Sequence, residues 1–277
     1  MAISDFAHKT AVVTGAASGL GRALAIGLAQ AGADVAIIDK DTGGLAETAA
    51  LLGRSGVRCL AREVDVSDWS QMQAMADDVL SEWGRVDILV NNAGVGVGGE
   101  LKDVPVDAIE WITGINLMGE IYGTKLFLPQ MIERQQGHIV NVASLSALVI
   151  LPFHIAYATT KHGLGGFSEA LWCETRQHNI GVTLVCPAGI KTNIMAGTRS
   201  FATAKGQKKL EERWGEILEK TGMEPKDAAE RILRAVKKDR YLLLLGKEAY
   251  IMYYMKRFLP GVQRRVVAAL TTHLSRG

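Results

Sequence analysis

Short runs of apolar and β-branched residues alternate along the chain with longer segments whose apolar positions recur every three to four residues. Residues 9–14 (KTAVVT) read as a first strand, followed by glycine-rich residues 15–21 and a helix from Arg22 to about Ala31. Residues 34–39 (DVAIID), 57–66 and 86–90 (VDILV) give three more strands, with helices over 43–52 and 69–83 between them. A long helical region spans 104–134, with Pro129 late in it as a candidate kink. Further on come a strand at 138–142, a helix over 155–178, a strand at 181–186 ending at Pro187, and a last strand at 240–245. Strands apolar at nearly every position are covered on both faces, as in parallel sheets flanked by helices. The pattern predicts an α/β fold in three layers, with a mainly parallel seven-stranded sheet. One domain accounts for residues 1–277. Within it, residues 190–206 lack strong periodicity and follow the carboxyl end of a strand, where open α/β sheets bind ligands. With the charged helix that follows, 190–222 is a candidate substrate lid. Residues 246–277 form a C-terminal extension.

Composition narrows the function without naming it. The 277 residues are 48% hydrophobic and 22% charged, within the range of soluble globular chains. A net charge of +2 gives no basis for nucleic-acid binding. Cys59, Cys173 and Cys186 have no metal-binding spacing and read as reduced thiols. The first apolar run is short and leads straight into the glycine-rich segment, unlike a secretory leader. The longest apolar stretch, residues 145–158, contains Pro152 and His154 and is too short to span a bilayer. A cytoplasmic, soluble protein is therefore expected. The extension interleaves Tyr250, Tyr253 and Tyr254 with Lys256, Arg257, Arg264 and Arg265, so a peripheral membrane contact is conceivable. Packing over the cleft or against another subunit is favoured, because Pro260-Gly261 interrupts the helix and the flanks are not strongly basic.

The segment Thr14-Gly15-Ala16-Ala17-Ser18-Gly19-Leu20-Gly21 lies between the first strand and its helix. Glycines there allow a tight turn and a close backbone approach to a pyrophosphate, which a helix N-terminus stabilises through its N–H groups. Asp39 ends the second strand and can accept hydrogen bonds from adenosine ribose hydroxyls. Its charge would oppose a 2′-phosphate, so NAD is favoured. The adjacent Lys40 keeps NADP possible, and Arg22 reads as structural.

Residues 141–161 concentrate the candidate chemistry. Tyr157 and Lys161 are four apart at the start of a predicted helix, on one face and one turn from each other. An ammonium beside a phenol favours the phenolate, which suits Tyr157 to proton transfer near neutral pH. Ser144 ends an apolar run and can hold a substrate oxygen by hydrogen bond; Ser146 is its rival. His154 and His162 flank the tyrosine and read as loop and helix-surface residues.

These residues as a set resemble the compact single-domain branch of the short-chain dehydrogenase/reductase family. The resemblance rests on TGAASGLG at 14–21, Asp65, NNAG at 91–94, Asn116, Ser144, Tyr157, Lys161 and Pro187 with Thr192, and it covers about residues 7–245. It implies a single, doubly wound Rossmann domain, a nicotinamide cofactor and reversible oxidation of an alcohol to a carbonyl. By resemblance, Tyr157 is the general acid/base and Lys161 lowers its pKa and binds the nicotinamide ribose. Ser144 positions the substrate oxygen, and Asn116 holds a water that relays protons to Lys161. Cofactor contacts are implied for Gly15, Ser18, Gly19, Leu20, Gly21, Asp39, Asp65, Val66, Asn91, Asn92, Ala93, Gly94, Tyr157, Lys161, Pro187, Gly189 and Thr192. Of these, Asp65 would meet the adenine and Thr192 the nicotinamide carboxamide. One departure stands out. Pro187-Ala188-Gly189 replaces the usual Pro-Gly, displacing the glycine by one position.

Residues 145–153 are almost wholly apolar and lead into the Tyr157 helix, which suits an apolar alcohol or ketone. Leu145, Met195 and Phe201 are the candidate substrate contacts beside Ser144 and Tyr157. Without the resemblance, Asn116 reads equally as a core residue bonding to backbone. The helix after Tyr157 carries Gly163, Gly165, Gly166 and Ala170, along with Leu164, Phe167 and Leu171. Apolar and small residues on several faces, like the resemblance, point to a homodimer or homotetramer. The expected function is an NAD(P)-dependent oxidoreductase for a fairly apolar secondary alcohol or ketone. The alternatives are a carrier-linked 3-ketoacyl reductase and a non-catalytic dinucleotide-binding sensor or scaffold.

Overall fold

A computed structural model describes residues 3–276. The N-terminal half runs β1 (Thr10–Thr14), α1 (Gly19–Gln30), β2 (Asp34–Asp39), α2 (Thr42–Leu52), β3 (Cys59–Glu63), α3 (Trp69–Trp83), β4 (Ile88–Asn91) and β5 (Gly96–Gly98). It continues with α4 (Val106–Thr113), a π-helical turn (Gly114–Met118), α5 (Gly119–Glu133), β6 (Gly137–Val142), α6 (Ile155–Thr175) and β7 (Ile180–Pro187). The remainder is β8 (Thr198–Ser200), α7 (Lys205–Thr221), α8 (Pro225–Lys237), β9 (Leu242–Leu245), α9 (Lys247–Phe258) and α10 (Pro260–Arg276). Seven strands pair in the order β3-β2-β1-β4-β6-β7-β9, every pairing parallel. This is the parallel sheet that the apolar strands predict, in the doubly wound Rossmann arrangement that the resemblance implies.

Alternation along the strands assigns side chains to the two layers. In β1, Val13 joins Val35, Ile37, Leu24 and Leu28 on one face, while Val12 joins Ala36, Ile38, Met72 and Phe127 on the other. All of these are buried. Both faces of the central strands are thus covered by helices, which explains why their sequences show no polar alternation. The strand order reverses between β1 and β4, opening a crevice at their carboxyl ends.

The structure corrects several boundaries. Helix α1 begins at Gly19 rather than Arg22, and β3 is shorter than the apolar run containing it. The long helical region of 104–134 is interrupted by the π turn, while Pro129 lies inside α5. The aperiodic stretch 190–206 contains β8, which pairs with β5 in a second small sheet. Three residues are too few to show a period in sequence. Phe201 N–H donates to Gly98 O at 2.9 Å and ties the end of β8 to the core. The extension folds as α9 and α10. Met252, Met255, Val267 and Leu270 from it meet Leu151, Pro152 and Leu210 around an apolar cavity of about 220 Å³.

Candidate active site

The turn from β1 to α1 packs backbone against backbone at the crevice. Gly15 and Gly19 adopt positive φ (66° and 54°), and a Cβ on Gly21 would collide with the Gly15 carbonyl. Asn92 Nδ2 donates to Thr14 O at 2.9 Å and to Gly15 O at 3.2 Å. Thr14 Oγ1 accepts from the N–H groups of Asn92 (2.9 Å) and Ala93 (3.1 Å). Ser18 precedes α1 in extended conformation and makes no side-chain capping bond, so the first-turn N–H groups receive none from it. The side chain of Leu20 is buried in the core, which restricts it to a backbone contact with any cofactor.

Asp39 Oδ2 accepts from Ala17 N at 3.0 Å and its Oδ1 from Asp41 N at 3.1 Å, placing the carboxylate against the glycine turn. Arg22 bonds Thr48 Oγ1 at 2.9 Å, Glu47 at 2.8 Å and the Ala17 carbonyl, a structural brace between α1 and α2. Asp65 Oδ1 accepts from Ser67 N and Oγ at 2.9 and 2.6 Å, and Val66 packs against Gly119. On the opposite lip, Thr192 Cγ2 would stand 3.1 Å from a Cβ at Gly19. Gly15, Gly19, Gly21, Asn92, Ala93 and Thr192 therefore share one end of the crevice.

The proton-transfer candidates lie where β6 meets α6. Lys161 is buried, and its Nζ donates to Val142 O at 2.9 Å and to Glu120 Oε1 at 3.3 Å. Tyr157 stands one turn earlier on α6, half-buried beside Val97, Val104, Ile112 and Ala156, a cluster that also takes in Phe201. Ser144 Oγ accepts from Ser146 N at 3.1 Å, leaving its hydroxyl hydrogen to donate elsewhere. The rival Ser146 is buried. Asn116 sits in the π turn, a distortion frequent at functional sites. Its amide grips Val95 in both directions at 2.8 Å, as a core residue bonding to backbone does. A Cβ at Gly94 would lie 3.5 Å from Asn116 Oδ1 and 3.7 Å from Lys161 Nζ, which places the NNAG segment beside both.

The substrate candidates have different surroundings. Leu145 packs into a core cluster with Val149, Leu164 and Leu184 instead of lining open space. Met195 lines a cavity of about 430 Å³ with Lys191, Thr192, Asn193, Gly215 and Leu218. Gly189 lies under α7, where Leu218 Cδ2 would be 2.6 Å from an added Cβ. His154 and His162 each place Nδ1 near a backbone carbonyl, of Pro152 at 2.7 Å and Ala158 at 3.0 Å.

Glu120 was not among the sequence candidates. It is 2% exposed, and Oε2 has no hydrogen-bond partner. Burial pushes its carboxyl up to about 8 although Lys161 pulls it down. A lone acid between Gly119 and Gly123, four positions after Asn116, was the available signal. Behind it, Asn91 Nδ2 bonds Asn141 Oδ1 (2.9 Å) and Asn141 Nδ2 bonds Ser168 Oγ (2.9 Å), a buried polar chain joining β4, β6 and α6.

Fold and crevice are those of a dinucleotide-binding α/β protein, with Ser144, Tyr157 and Lys161 where β6 meets α6. The short chain dehydrogenase family model matches residues 9–203. SadH of Mycobacterium tuberculosis, named as an oxidoreductase, is 36% identical over 269 residues, covering 96% of each chain. EphD of the same organism, also named as an oxidoreductase, is 36% identical over 263 residues; the chain spans 44% of its length. A short-chain dehydrogenase/reductase from Burkholderia phymatum, solved in complex with NAD, superposes with a TM-score of 0.87 at 31% identity, covering 94% of this chain and 96% of that one. A metagenomic short-chain oxidoreductase in complex with NADP gives a TM-score of 0.71 at 28% identity, covering 87% and 96%. The chain belongs to the short-chain dehydrogenase/reductase family, whose members are NAD(P)-dependent oxidoreductases.

Proposed function

We propose that the protein interconverts a fairly apolar secondary alcohol and its ketone, with NAD favoured over NADP. The observation that carries this reading is the buried Lys161 ammonium, fixed by Val142 O one helical turn from Tyr157 and beside Gly94. The residues fit a dinucleotide. The positive-φ turn brings backbone to the crevice, α1 offers its N-terminal N–H groups to a pyrophosphate, and Asp39 is positioned at the turn for ribose hydroxyls. A bound nicotinamide supplies or takes the hydride at the carbonyl carbon. Tyr157 gives a proton to the forming alkoxide, or removes one from the alcohol, from its hydroxyl oxygen. Lys161 stabilises the phenolate left behind. Ser144 donates its hydroxyl hydrogen to the substrate oxygen and fixes its orientation. Asn116 acts chiefly by holding the 94–95 loop against Lys161, since its amide is engaged with Val95. Phe201, packed against the same apolar cluster as Tyr157, forms the apolar wall.

The test is a panel of alcohols and ketones graded by size and polarity, assayed with NADH and NADPH for the native chain and Tyr157→Phe. Cofactor binding should persist in the variant while turnover falls by about 100-fold or more, the scale of general acid–base catalysis. Turnover equal to that of the native chain would remove the proton-transfer role, and tighter NADPH than NADH binding would reverse the cofactor preference.

A further inference from the structure

The C-terminal extension has two faces, and the fold buries only one of them. Met252 and Met255 of α9 and Gln263 and Val267 of α10 turn inward to the apolar cavity beside Leu151 and Pro152. Ala249 is buried, and Lys256 Nζ lies 3.3 Å from His162 Nε2 on α6, which ties α9 to the body of the chain. The outward face is bare. More than half of the large apolar side chains exposed among the described residues belong to this one segment. Ile251 is 67% exposed and Phe258 74%, and each would gain free energy by leaving water.

Helical spacing turns these exposures into stripes. On α9, Lys247, Tyr250, Ile251, Tyr254, Arg257 and Phe258 stand at i, i+3, i+4, i+7, i+10 and i+11, a single exposed face. The rings of Tyr254 and Phe258 stack along it with centroids 6.2 Å apart. On α10, Val262 and Arg265 are exposed likewise, and Val266 and Leu270 share their face while also edging the cavity. Residues 246–277 carry six Lys and Arg against one acid, Glu248, in a chain whose whole net charge is +2. Spread along the sequence the basic residues look sparse, but folding brings Lys247, Arg257 and Arg265 onto the apolar stripes. Glu248 falls off the α9 stripe.

We propose that this face of α9 and α10 docks on the surface of an anionic lipid bilayer. Basic residues set among aromatic and aliphatic ones hold a helix in the plane of such a surface: apolar side chains enter the acyl boundary while the cations meet headgroups. Tyr250 and Tyr254 suit that boundary, each with an apolar ring and a polar hydroxyl. The contact is interfacial, because no helix among the described residues is long and apolar enough to cross a membrane. A second copy of the chain fits the face poorly. A symmetric pair apposes identical patches, so Lys247, Arg257 and Arg265 would face their own counterparts with no acid on the stripe to answer them. The inner face of the same helices walls the 220 Å³ cavity, so docking places an apolar hollow directly behind the lipid surface.

Sedimentation of the full chain with lipid vesicles tests this without reference to catalysis. The chain should bind vesicles of phosphatidylcholine with phosphatidylserine, bind phosphatidylcholine alone far more weakly, and detach as salt is raised. Arg257→Gln with Arg265→Gln should weaken binding about thirtyfold, the loss expected for two cations near an anionic surface. Tyr254→Ser with Phe258→Ser should weaken it about tenfold or more by removing the inserted rings. All four side chains are exposed, so both variants should keep the native melting temperature and cofactor affinity, which separates lost docking from lost folding. Equal sedimentation with the two kinds of vesicle, or native binding by either variant, overturns the proposal. So does a native dimer that Tyr254→Ser with Phe258→Ser converts to monomer in analytical ultracentrifugation, since the face would then belong to a second copy.

Discussion

The two ends of the crevice are held by different means. At the nucleotide end, backbone meets backbone: Gly21 is pressed on the Gly15 carbonyl, and Asn92 and Thr14 bond main chain across β1 and β4. At the end proposed for the substrate, the three-residue β5–β8 ladder and side chains such as Phe201 and Leu218 do the packing. Backbone contacts tolerate no added atom, whereas a side-chain wall changes shape with each substitution. A chain built this way can alter its substrate without disturbing its cofactor.

That division can be attacked directly. The largest effect is expected from Gly21→Ala, whose methyl group would displace the Gly15 carbonyl and with it the turn. Cofactor affinity measured by fluorescence titration should fall by about 100-fold or more, and the melting temperature should drop with it. An intermediate effect is expected from Phe201→Ala, which opens the wall beside Tyr157. There KM for an apolar substrate should rise about tenfold, equivalent to about 1.4 kcal/mol, with cofactor affinity unchanged. Weakened cofactor binding in Phe201→Ala would mean that the two ends are not independent. The smallest effect belongs to Asp39→Asn, which keeps the bond from Ala17 but loses the charge. The ratio of NADPH to NADH affinity should rise several-fold, by about 1 kcal/mol for a partly exposed charge; an unchanged ratio would show that Asp39 does not discriminate between them.

What the sequence disclosed follows the same line. Near-continuous apolar runs announced β1, β2, β4, β6 and β7, because both faces of each are buried and nothing polar interrupts the signal. The glycine turn was readable because only one residue type fits its backbone. Strand β8 was not, because Thr-Arg-Ser has no period and its pairing depends on residues a hundred positions away. The surroundings of Leu145 and Met195 were hidden for a related reason. An apolar residue near a cleft in sequence can face the core or a neighbouring hollow equally well, and only packing decides. Glu120 escaped because a lone acid on a helix ordinarily reads as a solvated face, and only the packing of α5 against β4 shows that it is buried.

Gly189 bears on how this scaffold could diversify. With no side chain at that position, Leu218 settles directly on the chain leaving β7, and Met223 N–H reaches the Gly189 carbonyl at 3.1 Å. The bare position works as a missing shim. Any bulk inserted there would jack α7 upward and widen the mouth beside Thr192, retuning admission to the enzyme while leaving every reacting group where it stands.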